Sequence, residues 1–279
     1  MTSTQATPGS PALQQMIFRG TDEHAGRRIS VHPRNSTNKY LSYGRIILNQ
    51  SVPMVSFENG GEETGPICLS GRATVRVADR NFEFGPLDSI YIPKGSHIEV
   101  RTSSQADFAE FSSGVEGEYP LQFVSYAEIA PNPKLKFSTG QPSCARHITI
   151  CLGNNVRAGR LLAGITISEP GNWTSWPPHE HAKMLEEMYV YIDMPAPAFA
   201  LQLVYNDTAI PELAVPVREG DAVLIPSGYH PNVAVPGHRI AFLWAMAAHR
   251  ETEDRQFGVV NVQPEFQGGG GSGLEASRK

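Results

Sequence analysis

The stretch EGDAVLIPSGYHPNV, residues 219–233, repeats the pattern of GPLDSIYIPKGSHIEV, residues 85–100: glycine, aspartate, an apolar run, then Pro-x-Gly-x-His. In each copy the apolar, β-branched run reads as a strand and Pro-x-Gly as a turn, because proline presets φ entering the turn and glycine leaves the backbone free. Each strand therefore ends by delivering one histidine, His97 in the first copy and His230 in the second. A pattern met twice implies a duplicated chain. Around it lie further short alternating runs, among them ATVRVA, HITICL, LAGITIS and FALQLVY, separated by Gly, Pro, Asn and Asp. Helix-length amphipathic patterns are nearly absent, so the chain is expected to be all-β, a sandwich or barrel, of which the jelly roll closes its edges by packing two sheets.

The copies differ upstream of their repeated strands. The second is preceded by PPHEHAKMLEEMYVY, residues 177–191, which places His179 and His181 one residue apart and ends in an alternating aromatic strand. Residues i and i+2 share one strand face, so the two imidazoles project together and Glu180 points away. A helical zinc site would need its histidines at i and i+4, and the Pro-Pro pair discourages helix. A metal pair and a polar surface strand with two solvated histidines both fit this stretch taken alone. The first copy has SFENGGEETGPICLSG at the matching place, with glutamates and no histidine. Only the second copy is equipped for a metal, and His97 reads as a structural histidine making hydrogen bonds.

Bulk properties narrow the partners. The 279 residues, 40% of them hydrophobic, suffice for a large core, and a net charge of −5 leaves no basic footprint for nucleic acid or for an anionic membrane surface. No apolar run approaches the roughly 20 residues of a membrane span. The opening MTSTQATPGSPALQQ lacks the regions of a signal peptide, and the three cysteines, Cys68, Cys144 and Cys151, have no CxxC spacing. These features point to a cytoplasmic protein with reduced thiols and a small-molecule partner. A homo-oligomer is compatible with the sequence. The expected organisation is a disordered segment 1–15, a first half 16–125 without a metal, a second half 126–262 with one, and a flexible linker or tag 263–279 ending in the glycine run QGGGGSGLEASRK.

Together, His-x-His, the following glutamates and the Gly228-x-His230 turn resemble a cupin metal site. The blocks GNWTSWPPHEH, EEMYVY, GDAVLIPSGYHP and FSSGVEGEYP are similar to the bicupin family of uronate ketol-isomerases, over about residues 16 to 250. The block GYHP, 228–231, is closer to the inositol-pathway branch, the 5-deoxyglucuronate isomerases, than to the pectin-pathway branch. The resemblance implies a double-stranded β-helix, the cupin jelly roll, duplicated in one chain. It implies one divalent metal held by His179, His181, Glu187 and His230. Glu187 is preferred to Glu186 because it leads into Tyr189-Val190-Tyr191 and shares a strand face with Tyr189 and Tyr191. Zinc, manganese, iron and nickel all suit such a donor set.

The activity so implied is a metal-dependent aldose–ketose isomerisation of a deoxyuronic acid such as 5-deoxy-glucuronate, in inositol catabolism. Proton transfer between carbons needs a positioned acid or base, for which Glu186, Tyr229 and Lys183 are the nearest candidates in sequence. A uronate carboxylate needs a cationic fork, and Arg146 matches an arginine of the family, ahead of Arg157, Arg218 and Arg239. Tyr191 and Trp244 are expected to border the substrate. The family's inositol branch reads differently where this chain has FLWAMAAHR, 242–250, which brings Trp244 and His249 near or beyond the pocket strand. A cupin dioxygenase or lyase, and a non-catalytic sugar-acid-binding cupin, remain alternatives.

Overall fold

The computed structural model describes residues 16–267 and the backbone of residues 275–276, so the expectation for residues 1–15 and most of that for the tail lie outside the described residues. Residues 263–267 are a correction to the expected linker. Pro264–Phe266 forms a 3-10 turn whose Phe266 ring meets Trp176 at 5.0 Å, and Gln263 accepts from the Tyr205 hydroxyl at 2.8 Å.

Each half is a sandwich of one large and one small sheet. In the first half a six-stranded sheet runs in the order Gln122–Val124, Ser89–Tyr91, Glu62–Gly71, Ala106–Gly114, Leu41–Leu48, Gly26–Val31. It faces four strands in the order Met54–Glu58, His97–Arg101, Ala73–Val77, Arg80–Phe84. The second half repeats this with a seven-stranded sheet ordered Ile17–Phe18, Ala222–Ile225, Leu185–Tyr191, Ala241–Ala248, Leu161–Ser168, Arg146–Leu152, Lys136–Thr139. Its small sheet is Trp173–Thr174, Asn232–Ala234, Ala200–Val204, Leu213–Val217. The chain is a duplicated cupin. A four-residue helix, Tyr126–Ile129, capped by the Ser125 hydroxyl, lies between the halves in sequence.

Burial explains the strand sequences. The two large sheets pack on each other through a shared core that includes Tyr43, Ile67 and Phe111 of the first half and Met188, Val190, Leu224 and Leu243 of the second. Each also packs on its own small sheet, through Ile46, Phe108 and Val100 in the first half and Tyr189, Phe242 and Val217 in the second. Large-sheet strands are thus covered on both faces and read as continuous apolar runs: every residue of Ala241–Ala248 is buried. Small-sheet strands keep a wet face and alternate, as Ala73–Val77 does.

The halves also exchange strands. Ile17 and Phe18 precede the first half yet pair with Val223 and Ala222 of the second, while Gln122–Val124 precedes the second half and pairs with Ser89–Tyr91 of the first. Residues 16–18 therefore belong structurally to the second half, a correction to the boundary read from sequence. Each exchanged strand covers an edge that would otherwise expose unpaired backbone.

Equivalent positions follow from the pairing. Ile67 faces Ser89 as Val190 faces Ala222, and Thr64 faces Ile92 as Glu187 faces Ile225. Thr64 thus stands where the second half has Glu187, and Glu63 where it has Glu186.

Candidate metal centre

Strand parity builds the site. In Leu185–Tyr191 the residues Leu185, Tyr189 and Tyr191 face the core of the second half, with Glu187 between them, whereas Met188 and Val190 face the first half. On the neighbouring strands the same inner face carries Arg146 and Ile148, Thr166, and Phe242, Trp244 and Met246. With Thr139, Ser175, His179 and Phe257 these side chains line a cavity of about 70 Å³. Trp244 fits because residue 164 is glycine: a Cβ there would stand 2.2 Å from the Trp244 ring and 2.4 Å from the Thr149 carbonyl oxygen.

His179 opens a two-residue strand, His179–Glu180, paired with Val262 and Asn261, and His181 follows at the turn into Leu185–Tyr191. His230 comes from the repeated turn, where Gly228 has φ +94° and a Cβ would meet the Tyr205 carbonyl oxygen at 2.9 Å. The ligand atoms of His181, Glu187 and His230 all lie within 4.8 Å of one another. His179 stands beside them, its ring 4.9 Å from that of His230 and 6.3 Å from that of His181.

Hydrogen bonding fixes the tautomers. Nδ1 of His179 donates to the Pro177 carbonyl at 2.9 Å, Nδ1 of His181 to Leu185 at 3.2 Å, and Nδ1 of His230 to Gly228 at 2.9 Å. A carbonyl only accepts, so all three Nδ1 atoms carry protons and Nε2 is the nitrogen each ring can offer to a ligand. His181 Nε2 reaches Glu187 Oε2 at 3.1 Å. His230 Nε2 is also 3.1 Å from that oxygen but off the line of a hydrogen bond, a buried nitrogen without a hydrogen-bond partner. Burial, with His230 adding to it, pushes His179 down to about 3. Burial would raise Glu187, yet the His181 and His230 imidazoles outweigh it and hold the carboxyl at about 2. Burial would lower His181, yet its bond to Glu187 outweighs burial and raises it; a divalent cation would displace that proton and take the carboxylate and the imidazole nitrogens as its donors.

The cavity wall carries one cation. Arg146 is 4% exposed, and its guanidinium donates to the carbonyls of Cys144 at 2.9 Å and Trp176 at 2.7 Å. Burial pulls its pKa down, and no carboxylate forms an ion pair with it among the described residues. Beside it the Tyr189 hydroxyl meets Ser175 Oγ at 2.6 Å, and burial raises the phenol well above its ordinary value. Ser175 itself holds a left-handed backbone, φ +51°.

The three residues expected to move protons are not brought to this cavity. Glu186 points to the opposite face of its strand, where its carboxylate accepts from the backbone N–H groups of Lys39 at 2.8 Å, Tyr40 at 2.7 Å and Leu41 at 2.6 Å. Tyr229 turns outward against Tyr205, ring centroids 5.7 Å apart. Lys183 is exposed on the turn after His181. Of the expected substrate contacts, Arg146 and Trp244 line the cavity and Tyr191 does not. The Tyr191 hydroxyl lies deeper, bonded to Gln202 and, at 3.1 Å, to the Asn232 amide. His249 packs on Tyr40 of the first half at 5.5 Å. Tyr189 was legible from its parity with Glu187. Ser175, Thr139, Thr166 and Phe257 come from four separate segments and carried no motif. In the first half His97 is exposed and bonds Ser56 Oγ at 2.8 Å, with Thr64 in the carboxylate's place.

Fold and site together define a duplicated cupin with a metal-type cluster in its second repeat. The chain belongs to the KduI/IolB family, which matches residues 17–262. It is 31% identical over 239 residues to the 5-deoxy-glucuronate isomerase of Geobacillus kaustophilus, an alignment covering 80% of this chain and 84% of that one. Among solved structures it is similar to an IolB-like protein of Salmonella typhimurium LT2, with TM-score 0.79, 23% identity, and coverage of 90% of this chain and 97% of the other. It also shares its fold with Bacillus subtilis oxalate decarboxylase, described there with Mn(II) centres, at TM-score 0.61 and 16% identity over 86% of this chain and 78% of that one.

Proposed function

We propose that this protein is a metal-dependent ketol-isomerase converting a deoxyuronic acid of the 5-deoxy-glucuronate kind from aldose to ketose in inositol catabolism. Family membership and the name of the Geobacillus relative support the reaction. The observation that carries the mechanism is the convergence of His181 and His230 on Glu187, with His179 beside them and a buried arginine that lacks an acidic partner nearby. By this reading His179, His181, Glu187 and His230 hold one divalent ion such as manganese, zinc or iron. When bound, such an ion supplies Lewis-acid polarisation of the substrate's oxygens.

The chain's own residues do the rest. Arg146 binds the uronate carboxylate, which gives its desolvated guanidinium the counter-charge it lacks. Tyr189, kept protonated by burial and oriented by Ser175, donates a hydrogen bond to a substrate oxygen. Phe242, Trp244 and Met246 exclude water from the reacting carbons. A void of about 70 Å³ is well below the several hundred typical of ligand pockets, so substrate entry requires side chains at the rim to move. Phe257, partly exposed and stacked on Trp244 at 5.0 Å, is the large one there. The three cysteines are buried and form no disulfide among the described residues, which accords with a cytoplasmic setting.

The test is incubation of manganese-loaded protein with 5-deoxy-glucuronate, following loss of the aldose signal by NMR with oxygen uptake recorded in parallel. Aldose loss without oxygen uptake is expected. Absence of turnover with every deoxyuronate tried, or turnover that consumes oxygen, would overturn the isomerase reading.

A further inference from the structure

The two halves hold each other through a pair of buried carboxylates related by the duplication. Glu186, on the central strand of the second half, accepts the N–H groups of Lys39, Tyr40 and Leu41, which lead into Leu41–Leu48 of the first half. Glu63, at the equivalent place in the first half, accepts those of Gly159 at 2.8 Å, Arg160 at 2.7 Å and Leu161 at 2.7 Å, which lead into Leu161–Ser168 of the second. Both carboxylates are buried, 3% and 0% exposed. The three backbone contacts are the same, with Glu63 also accepting from the Tyr91 hydroxyl at 2.6 Å, but what stands next to each glutamate in sequence is not. Glu63 is followed by Thr64. Glu186 sits between Leu185, whose carbonyl fixes the His181 ring, and Glu187, on which His181 and His230 converge.

We propose that Glu186 is a positioning residue for the metal centre: through it, the metal-free first half sets the place of the strand that carries the ligands. The proposal rests on the reading of His179, His181, Glu187 and His230 as a metal site. Three charge-assisted bonds at 2.6 to 2.8 Å from one carboxylate restrain the strand at a single point, immediately beside the ligand. Glutamine cannot reproduce them. Its oxygen can take the place of the one serving Tyr40 and Leu41, but its NH₂ would then face the Lys39 N–H, donor against donor. The strand then shifts, and with it Leu185 and Glu187, whereas the same change at Glu63 disturbs only the scaffold. Partners that orient metal ligands commonly change affinity by 10- to 100-fold when altered.

The experiment compares Glu186→Gln and Glu63→Gln, stripped of metal and titrated with Mn²⁺ by calorimetry, with melting curves for each. Both should melt lower than wild type, Glu63→Gln by at least as much because it also disturbs the Tyr91 bond. Mn²⁺ should bind Glu186→Gln about 10-fold more weakly, and Glu63→Gln within about 2-fold of wild type. Should Glu186→Gln not fold, Glu186→Asp keeps the charge, shortens the reach by one methylene, and carries the same expected direction. Wild-type affinity in the Glu186 variant, or an equal loss in Glu63→Gln, would overturn the proposal. Failure of the wild-type protein itself to bind Mn²⁺ would instead remove the metal reading on which it rests.

Discussion

Replacing Arg146 by methionine should separate catalysis from stability. The guanidinium is 4% exposed, has two carbonyl acceptors and is not ion-paired to any acid of the described chain. In the free protein its removal has two opposed effects. The Cys144 and Trp176 carbonyls lose a donor, costing roughly 1–3 kcal/mol each, while a desolvated cation disappears, which is worth several kcal/mol in the other direction. The net change should be small, about 1 kcal/mol, and the melting temperature should move by only about 2–4 °C. With substrate bound the balance differs, because a buried carboxylate would lose its sole charged partner. A truncated, hydrogen-bonded charge pair of that kind costs roughly 2–4 kcal/mol, which corresponds to a fall in kcat/KM of roughly 30- to 900-fold. Metal content should stay at wild-type level, since Arg146 contacts none of the imidazoles. The assay is initial-rate kinetics on the deoxyuronate, with elemental analysis and a melting curve on the same preparation. A kcat/KM within about threefold of wild type, with metal intact, would refute the carboxylate role of Arg146 and point to a neutral substrate.

Substituting His181, His230 or Glu187 by alanine should abolish stoichiometric metal and activity together, while His97→Ala, at an exposed histidine bonded to Ser56, keeps both, as elemental analysis will show. Stripping the metal should lower the melting temperature, and Mn²⁺ at 100 times its Kd should restore about 2.7 kcal/mol. A pH test concerns Glu251, which ties the second half to residues 116–119 of the first. Burial would raise its carboxyl, but the N–H groups of Glu116 and Gly117, the Tyr119 hydroxyl and Arg160 outweigh burial and hold it below the usual range. A depressed folded-state pKa gives stability that is present above the unfolded value, near 4.3, and is lost as pH falls through the folded value. Glu251→Gln should therefore be less stable than wild type at pH 7, and urea denaturation at successive pH values should find the gap closing below about pH 4.

Local rules made part of this protein readable without coordinates. Period-two alternation and the paired Pro-x-Gly-x-His turns define a duplicated β-sandwich, because side-chain direction on a strand and backbone freedom at a turn depend on neighbouring residues alone. The same parity separates Glu187 from Glu186 and pairs Glu187 with Tyr189. What parity cannot supply is the identity of whatever covers each face. Glu186 lies beside the site in sequence, where it reads as a candidate proton carrier, yet its partners are the backbone of residues 39–41, well over a hundred positions away. Tyr191 shares the face of Tyr189, but its hydroxyl is committed to the core by donating to Gln202 and accepting from Asn232, both on the opposite sheet. The cavity takes Ser175, Thr139 and Phe257 from loops and an edge strand with no common pattern. Ile17 and Phe18 crossed to the other half because the open sheet edge there needed backbone partners, and backbone groups carry no residue-specific signal. Strand direction is a property of near neighbours; the surface a strand meets is set by segments that only folding brings together.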